Sequence, residues 1–128
     1  MQVHELMQPQ VWETFPEEPL ADAAARMQAH EVGSLAVMDR DDLVGIVTER
    51  DVLRAVADGA PCGSTPVSSY MTALPVVADL TTDTTDAARL MVQHDIRHLP
   101  VVVGRKLVGM VSARDLLVLD TARVRGPR

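Results

Sequence analysis

The sequence contains few aromatic residues and a single cysteine. Its only aromatic residues are Trp12, Phe15 and Tyr70, so we expect a planar ligand to be held by aliphatic side chains and backbone rather than by stacked rings. Because Cys62 has no second cysteine to pair with inside the chain, we expect a reducing, cytoplasmic location. No apolar run approaches the roughly 18 residues of a membrane span, so neither a membrane segment nor export is expected.

Positive charge is also scarce. The 128 residues include 12 Lys and Arg against 18 Asp and Glu, a formal net charge of −6, and Lys106 is the only lysine. Nucleic-acid binding depends on clustered positive charge, so this balance disfavours it, although local basic pockets remain compatible with the sequence. With 47% hydrophobic residues, a chain of this length can bury a core without a disulfide or a metal.

The sequence repeats itself with a period of 64 residues. Without a gap, residues 22–53 align with residues 86–117, and fourteen of the thirty-two aligned pairs are identical. The register extends upstream, where Val3–Met7 aligns with Val67–Met71. Residues between the copies are rich in glycine and proline. The expected organisation is a first repeat over 1–58, a linker over 59–66, a second repeat over 67–122 and a flexible tail over 123–128.

Each half predicts the same succession of elements. After an extended stretch near Val11 or Val76, apolar residues at helical spacing predict a helix with its buried face on Leu20, Ala23, Ala24 and Met27, or on Ala87, Ala88 and Met91. Two β-rich runs follow, at residues 35–38 and 43–47 or at 99–103 and 106–111. A second helix is expected to begin at Thr48 or Ser112. Its apolar side, expected to face inward, carries Val52, Leu53 and Val56 in the first repeat, and Leu116, Leu117 and Leu119 in the second.

One motif occurs in both halves at the junction between the second run and the second helix. Residues 45–51 and 109–115 both read G-h-V-[ST]-x-R-D, where h is apolar. In the structural interpretation, the hydroxyl and the carboxylate form a capping box that stabilises a helix by about 1 kcal/mol without any ligand. In the functional interpretation, the helix amides, hydroxyl and arginine face a phosphate while the carboxylate accepts from a ribose diol. The residues alone leave both interpretations open.

The repeated motif, together with the sequence I-R-H-L-P-V at residues 96–101, resembles a tandem pair of CBS domains, or Bateman module, of the stand-alone bacterial type. The resemblance covers residues 3–119. It implies an α/β (α+β) fold in which two β-α-β-β-α repeats pack about a pseudo-twofold axis. It also implies two clefts between the repeats that bind adenosine-containing ligands such as AMP, ADP, ATP or S-adenosylmethionine, and a homodimer that buries helices of both halves.

The resemblance assigns roles by motif position. Ribose hydroxyls would be held by Asp51 and Asp115. Phosphate would lie near Thr48, Arg50, Ser112 and Arg114, and the base would lie beside Leu99, Pro100 and Val101. The first repeat has Gly33 and Ser34 where the second has Arg97 and His98. We therefore hypothesise that the two clefts differ, that His98 contacts phosphate, and that the cleft using Asp115 is the better site for an anionic nucleotide.

The remaining function classes find less support in the residues. No nucleophile elbow, phosphate-binding loop or paired catalytic carboxylates occur, so we do not expect an enzyme. The four histidines stand at no recurring ligand spacing, so neither a metal nor a required cofactor is predicted. The main hypothesis is a sensor of adenosine-containing ligands that acts on an unidentified effector protein. The alternative is a scaffold of the same fold that binds no ligand and acts through protein–protein contacts.

Overall fold

The computed structural model describes residues 1–124 and, within them, the side chains of residues 1–118. In this part of the chain, four α-helices and two small sheets confirm the mixed α/β fold. The residues form two compact units: a first unit of residues 11–75, and a second unit that joins residues 1–10 to the chain from residue 76 onward. Of the tail predicted at 123–128, residues 125–128 lie outside the described residues, as does the side chain of Leu119.

The first unit contains a four-stranded sheet and two helices. In chain order its elements are β1 (Glu13–Thr14), α1 (Leu20–His30), β2 (Ser34–Asp39), β3 (Asp42–Thr48), α2 (Glu49–Ala57) and β4 (Thr72–Ala73). The strands lie in the order β1-β2-β3-β4, with β1 parallel to β2 and the other neighbours antiparallel. A short 3-10 helix, Val67–Ser69, precedes β4.

The second unit repeats this arrangement with one fewer strand. Its elements are a 3-10 helix (Val3–Glu5), β5 (Ala78–Asp79), α3 (Thr84–His94), β6 (His98–Val103), β7 (Lys106–Ser112) and α4 (Ala113–Val124). The strands lie in the order β5-β6-β7, and a single bridge between Gln8 and Met110 takes the place of β4. The four strands predicted from β-rich runs are confirmed to within one residue at each end.

The segment that leads each repeat, residues 1–10 in the first and residues 67–75 in the second, packs in the unit that contains the rest of the other repeat. We call these the leading segments. Val3, at the start of the first repeat, is fully buried in the core of the second unit, and Val67 is fully buried in the core of the first. This packing explains the motif glycines: a Cβ at Gly45 would lie 2.9 Å from the carbonyl oxygen of Thr72, and one at Gly109 would collide with Met7. At Gly45 the close neighbour is backbone, so glycine is required where the leading segment crosses β3.

The prediction for α2 was wrong about which side chains turn inward. Its buried side carries Asp51, the partly buried Val52 and Ala55, whereas Leu53 and Val56 are 68% and 63% exposed. Asp51 caps the helix at a buried junction, and this orients the helix. At about 100° per residue, Val52 and Ala55 then fall on the same side as Asp51, while Leu53 lies nearly opposite. In α4, Leu117 is 65% exposed for the same reason.

The first unit also contains a buried ion pair. The carboxylate of Glu18, a residue only 6% exposed, accepts from both terminal nitrogens of Arg26, at 2.5 and 2.7 Å, and from the Thr14 hydroxyl. Arg26 also donates to the carbonyl of Glu13 at 3.0 Å. The hydrogen bond from Arg26 lowers the pKa of Glu18 despite its burial. The second repeat replaces Glu18, Arg26 and Thr14 by Thr82, Leu90 and Ala78.

Candidate ligand-binding site

Both copies of the motif form the predicted capping box. At the start of α2, the Thr48 amide donates to Oδ2 of Asp51 at 2.8 Å, and the Asp51 amide donates to the Thr48 hydroxyl oxygen at 3.4 Å. At the start of α4, the same two bonds between Ser112 and Asp115 measure 2.9 and 3.1 Å. The structural interpretation of the motif is therefore confirmed. It leaves one carboxylate oxygen, Oδ1, of each aspartate outside the box.

The Oδ1 atom of Asp51 is engaged by a cation. Arg54, one turn further along α2, donates to this atom at 2.9 Å. The same guanidinium donates to the carbonyl of Tyr70 at 3.0 Å and lies 5.6 Å from the centroid of the Tyr70 ring. The Tyr70 hydroxyl donates in turn to Asp58 at 2.9 Å, which raises the pKa of Tyr70. Asp51 itself is only 7% exposed.

The Oδ1 atom of Asp115 has a weaker partner. Its contact within the described chain is the side-chain amide of Gln8, at 3.4 Å, which is long for a hydrogen bond. In the 64-residue repeat, Val118 is the equivalent of Arg54, and Leu6 is the equivalent of Tyr70. Asp115 is also more accessible than Asp51. The two motifs are therefore alike in backbone and different in the state of the carboxylate.

The sheet brings the R-H-L-P run next to the second motif. His98 begins β6 and pairs directly with Ser112 on β7, and the carbonyl of Arg97 accepts from the Ala113 amide at 2.8 Å. Cross-strand partners present their side chains on the same face of a sheet, so His98 and Ser112 are neighbours. His98 is half-buried and Arg97 exposed. In the first repeat, Ser34 holds the corresponding position opposite Thr48.

The charges around the two motifs differ as well. The second motif has two guanidinium groups, on Arg97 and Arg114, against the carboxylate of Asp115. The first has Arg50 and Arg54 against the carboxylates of Glu49 and Asp51. Both Arg50 and Arg114 occupy the second position of their helix and are exposed. Counted over these residues, the second motif has one more positive than negative group, and the first has equal numbers.

The three residues assigned to the base are core residues in this structure. Leu99 and Val101 are fully buried in the core of the second unit, and Pro100 between them is also buried. Strand alternation places Pro100 on the opposite face from its two neighbours. A base could therefore contact these side chains only after a movement that exposes them.

Three residues that take part in the contacts at the two motifs were missing from the sequence interpretation. Arg54 could have been found, because a cation three residues after a helix-capping carboxylate lies on the same helix face. Tyr70 and Gln8 belong to the leading segments, and no local pattern connects them to the motif.

Within residues 1–118, no group of three or more His, Cys, Asp or Glu side chains could hold a metal ion. No helix of the described chain is long and apolar enough to cross a membrane.

Comparison with known proteins agrees with this architecture. The CBS domain-containing protein YhcV of Bacillus subtilis is 39% identical over 117 residues, which cover 91% of this chain and 83% of YhcV. The hexameric CBS-CP12 protein from bloom-forming cyanobacteria is 30% identical with a TM-score of 0.88, covering all of this chain and 76% of that one.

A third comparison concerns the fold alone. The CBS domain pair of protein MJ0100, solved with 5′-methylthioadenosine and S-adenosyl-L-methionine, has a TM-score of 0.89 at 23% identity and covers 96% of this chain and 98% of that one. The sequence model of the CBS domain matches twice, over residues 3–58 and 67–120, in agreement with the 64-residue repeat. The chain belongs to the CBS-domain family, as a tandem pair.

Proposed function

We propose that this protein is a regulatory sensor that binds an adenosine-containing ligand, namely AMP, ADP, ATP or S-adenosylmethionine, at its second motif. The observation that carries the proposal is the grouping of Ser112, Asp115 and Arg114 at the start of α4 with His98, which begins β6, and Arg97, which precedes it. These residues supply a hydroxyl, a carboxylate and cations within a few residues of one helix N-terminus. That combination suits a ribose bearing a phosphate or another charged group.

The relatives support the class of ligand. MJ0100, which shares the fold, was solved with two adenosine compounds. The matching family model is described as the CBS domain, and that description names no reaction. We therefore propose no reaction: binding would shift the protein between two conformational states by the difference in affinity for each.

A second copy of the chain is the proposed structural partner. Leu53 and Val56 on α2, and Leu117 on α4, are large apolar side chains more than half exposed. The exposed leucine recurs in both repeats, and these side chains would be covered if the helices packed against another protomer. We propose a homodimer as the basic assembly. The hexameric CBS-CP12 protein supplies the main alternative.

Thermal unfolding of the purified protein tests ligand binding. Each of the four adenosine compounds is added to the wild type, to Asp115→Asn and, as a matched surface control, to Asp86→Asn on α3. A ligand at 100 times its Kd adds about 2.7 kcal/mol to the free energy of unfolding, so its midpoint rises. The rise should persist in Asp86→Asn and fall in Asp115→Asn. If none of the four compounds shifts the wild type, the protein is a ligand-free scaffold.

A further inference from the structure

We propose that Arg54 makes the first motif unavailable to ribose, so that the chain binds one adenosine ligand, at Asp115, although it carries the motif twice. This inference rests on the proposed function and assigns Arg54 as the residue that determines which copy is used. Arg54 is a positioning residue, since it acts through Asp51.

Both carboxylate oxygens of Asp51 already accept hydrogen bonds within the first unit. Its Oδ2 atom accepts from the amide and the hydroxyl of Thr48, at 2.8 and 3.2 Å, and its Oδ1 atom accepts from Arg54 at 2.9 Å. A ribose diol donates through its hydroxyls, so at Oδ1 it would have to compete with Arg54, which already holds this atom by a charge-assisted hydrogen bond. Such a bond is about twice as strong as a neutral one.

Arg54 is held in place by more than its aspartate. Its side chain is 57% exposed, and an exposed ion pair alone would exchange readily with solvent. The Tyr70 carbonyl and the face of the Tyr70 ring fix the same guanidinium, and Tyr70 is tethered by its hydroxyl to Asp58. Because these contacts are already made, Arg54 loses little further side-chain entropy when it binds Asp51.

The second motif lacks the whole arrangement. Val118 and Leu6 replace Arg54 and Tyr70, and the Oδ1 atom of Asp115 meets only the Gln8 amide at 3.4 Å in the described chain. A ribose hydroxyl would displace a long, neutral contact there. We expect the difference to favour the second motif by at least about tenfold in Kd, which corresponds to loss of one hydrogen bond of about 1.4 kcal/mol.

Exchanging the two residues tests the assignment. Isothermal titration calorimetry with AMP is performed on the wild type, Arg54→Val and Val118→Arg. The wild type should bind one AMP per chain, at the second motif. Arg54→Val should gain an additional site at the first motif, and Val118→Arg should weaken binding at the second motif about tenfold. Arg89→Val is the matched control, because Arg89 makes an exposed pair with Asp86 at the same helical spacing and 2.8 Å. It should bind like the wild type.

The outcomes separate this inference from the function on which it rests. Two equal AMP sites in the wild type, or equal weakening by Asp51→Asn and Asp115→Asn, would overturn the role of Arg54 and leave the sensor function standing. No binding of any of the four adenosine compounds to the wild type would overturn both. Val118 is 61% exposed, so Val118→Arg tests the inference even if Arg54→Val fails to fold.

Discussion

Replacing Arg26 by leucine, the residue at the equivalent place in the second repeat, should leave the Glu18 carboxylate buried without its cation. Breaking a buried ion pair on one side costs about 3–5 kcal/mol. The Arg26 side chain is 32% exposed and Glu18 8%, so solvent reaches one partner and the expected loss is about 2–3 kcal/mol, below the range for a fully buried pair.

Replacing both partners should restore most of this stability. The double variant Glu18→Thr with Arg26→Leu reproduces the residues that the second repeat packs at these positions, and removes the unpaired charge. Its free energy of unfolding should lie within about 1 kcal/mol of the wild type, because exchanging a buried pair for packed neutral groups is often close to neutral.

A double-mutant cycle measured by urea unfolding gives the coupling directly. Circular dichroism at neutral pH and one fixed protein concentration follows the wild type, both single variants and the double variant. We expect a coupling above about 1.5 kcal/mol. If the single losses add to within about 0.5 kcal/mol of the double, the pair is not coupled and the reasoning fails.

The same carboxylate makes stability depend on pH. Because Arg26 lowers the pKa of folded Glu18, its stabilisation is fully present above the ordinary glutamate value of about 4.3 and is lost as pH falls through the folded value. The difference in unfolding free energy between wild type and Glu18→Gln should therefore be constant near neutrality and shrink in acid. A difference that grows as the pH falls would contradict the assigned direction.

Two further predictions concern the leading segments and the exposed helix faces. Gly45→Ala should cost about 1–3 kcal/mol in urea unfolding, because its Cβ would lie 2.9 Å from the Thr72 carbonyl oxygen, whereas Gly63→Ala, with open space around it, should cost much less; equal losses would contradict the steric explanation. Leu53→Glu should convert the proposed dimer to a monomer in analytical ultracentrifugation, while Glu49→Gln on the same helix should not; an unchanged dimer in Leu53→Glu would place the interface elsewhere.

The elements that could be predicted from the sequence are those determined by residues close together in the chain. Strands and capping boxes depend on alternation and on residues three apart, and the repeat allowed each to be read twice. The inward face of α2 was not predictable in this way, because the cap at Asp51 sets its rotation, and two apolar side chains at helical spacing then point outward. Arg54, the partner of Asp51 on α2, could have been predicted, whereas Tyr70 and Gln8 come from distant parts of the chain.

The core residues of the R-H-L-P run show a different limit. Leu99, Pro100 and Val101 were assigned to a ligand from their place in a motif, but a motif does not say which side chains a sheet turns inward. Leu99 and Val101 are buried because their face of β6 packs in the core of the second unit, and Pro100 is buried on the opposite face. Contact between these residues and a ligand belongs to the proposal for the second motif.

The exchange of leading segments bears on how such a chain can arise. A polypeptide of one repeat, cut at residue 64, would contain Val3 but not Val67, so the core of its own sheet would be incomplete. Two such polypeptides would each have to lend a segment to the other, as in a domain-swapped pair. Covalent fusion turns this into an intramolecular event with a high effective concentration, so duplication in tandem removes the dependence of folding on protein concentration.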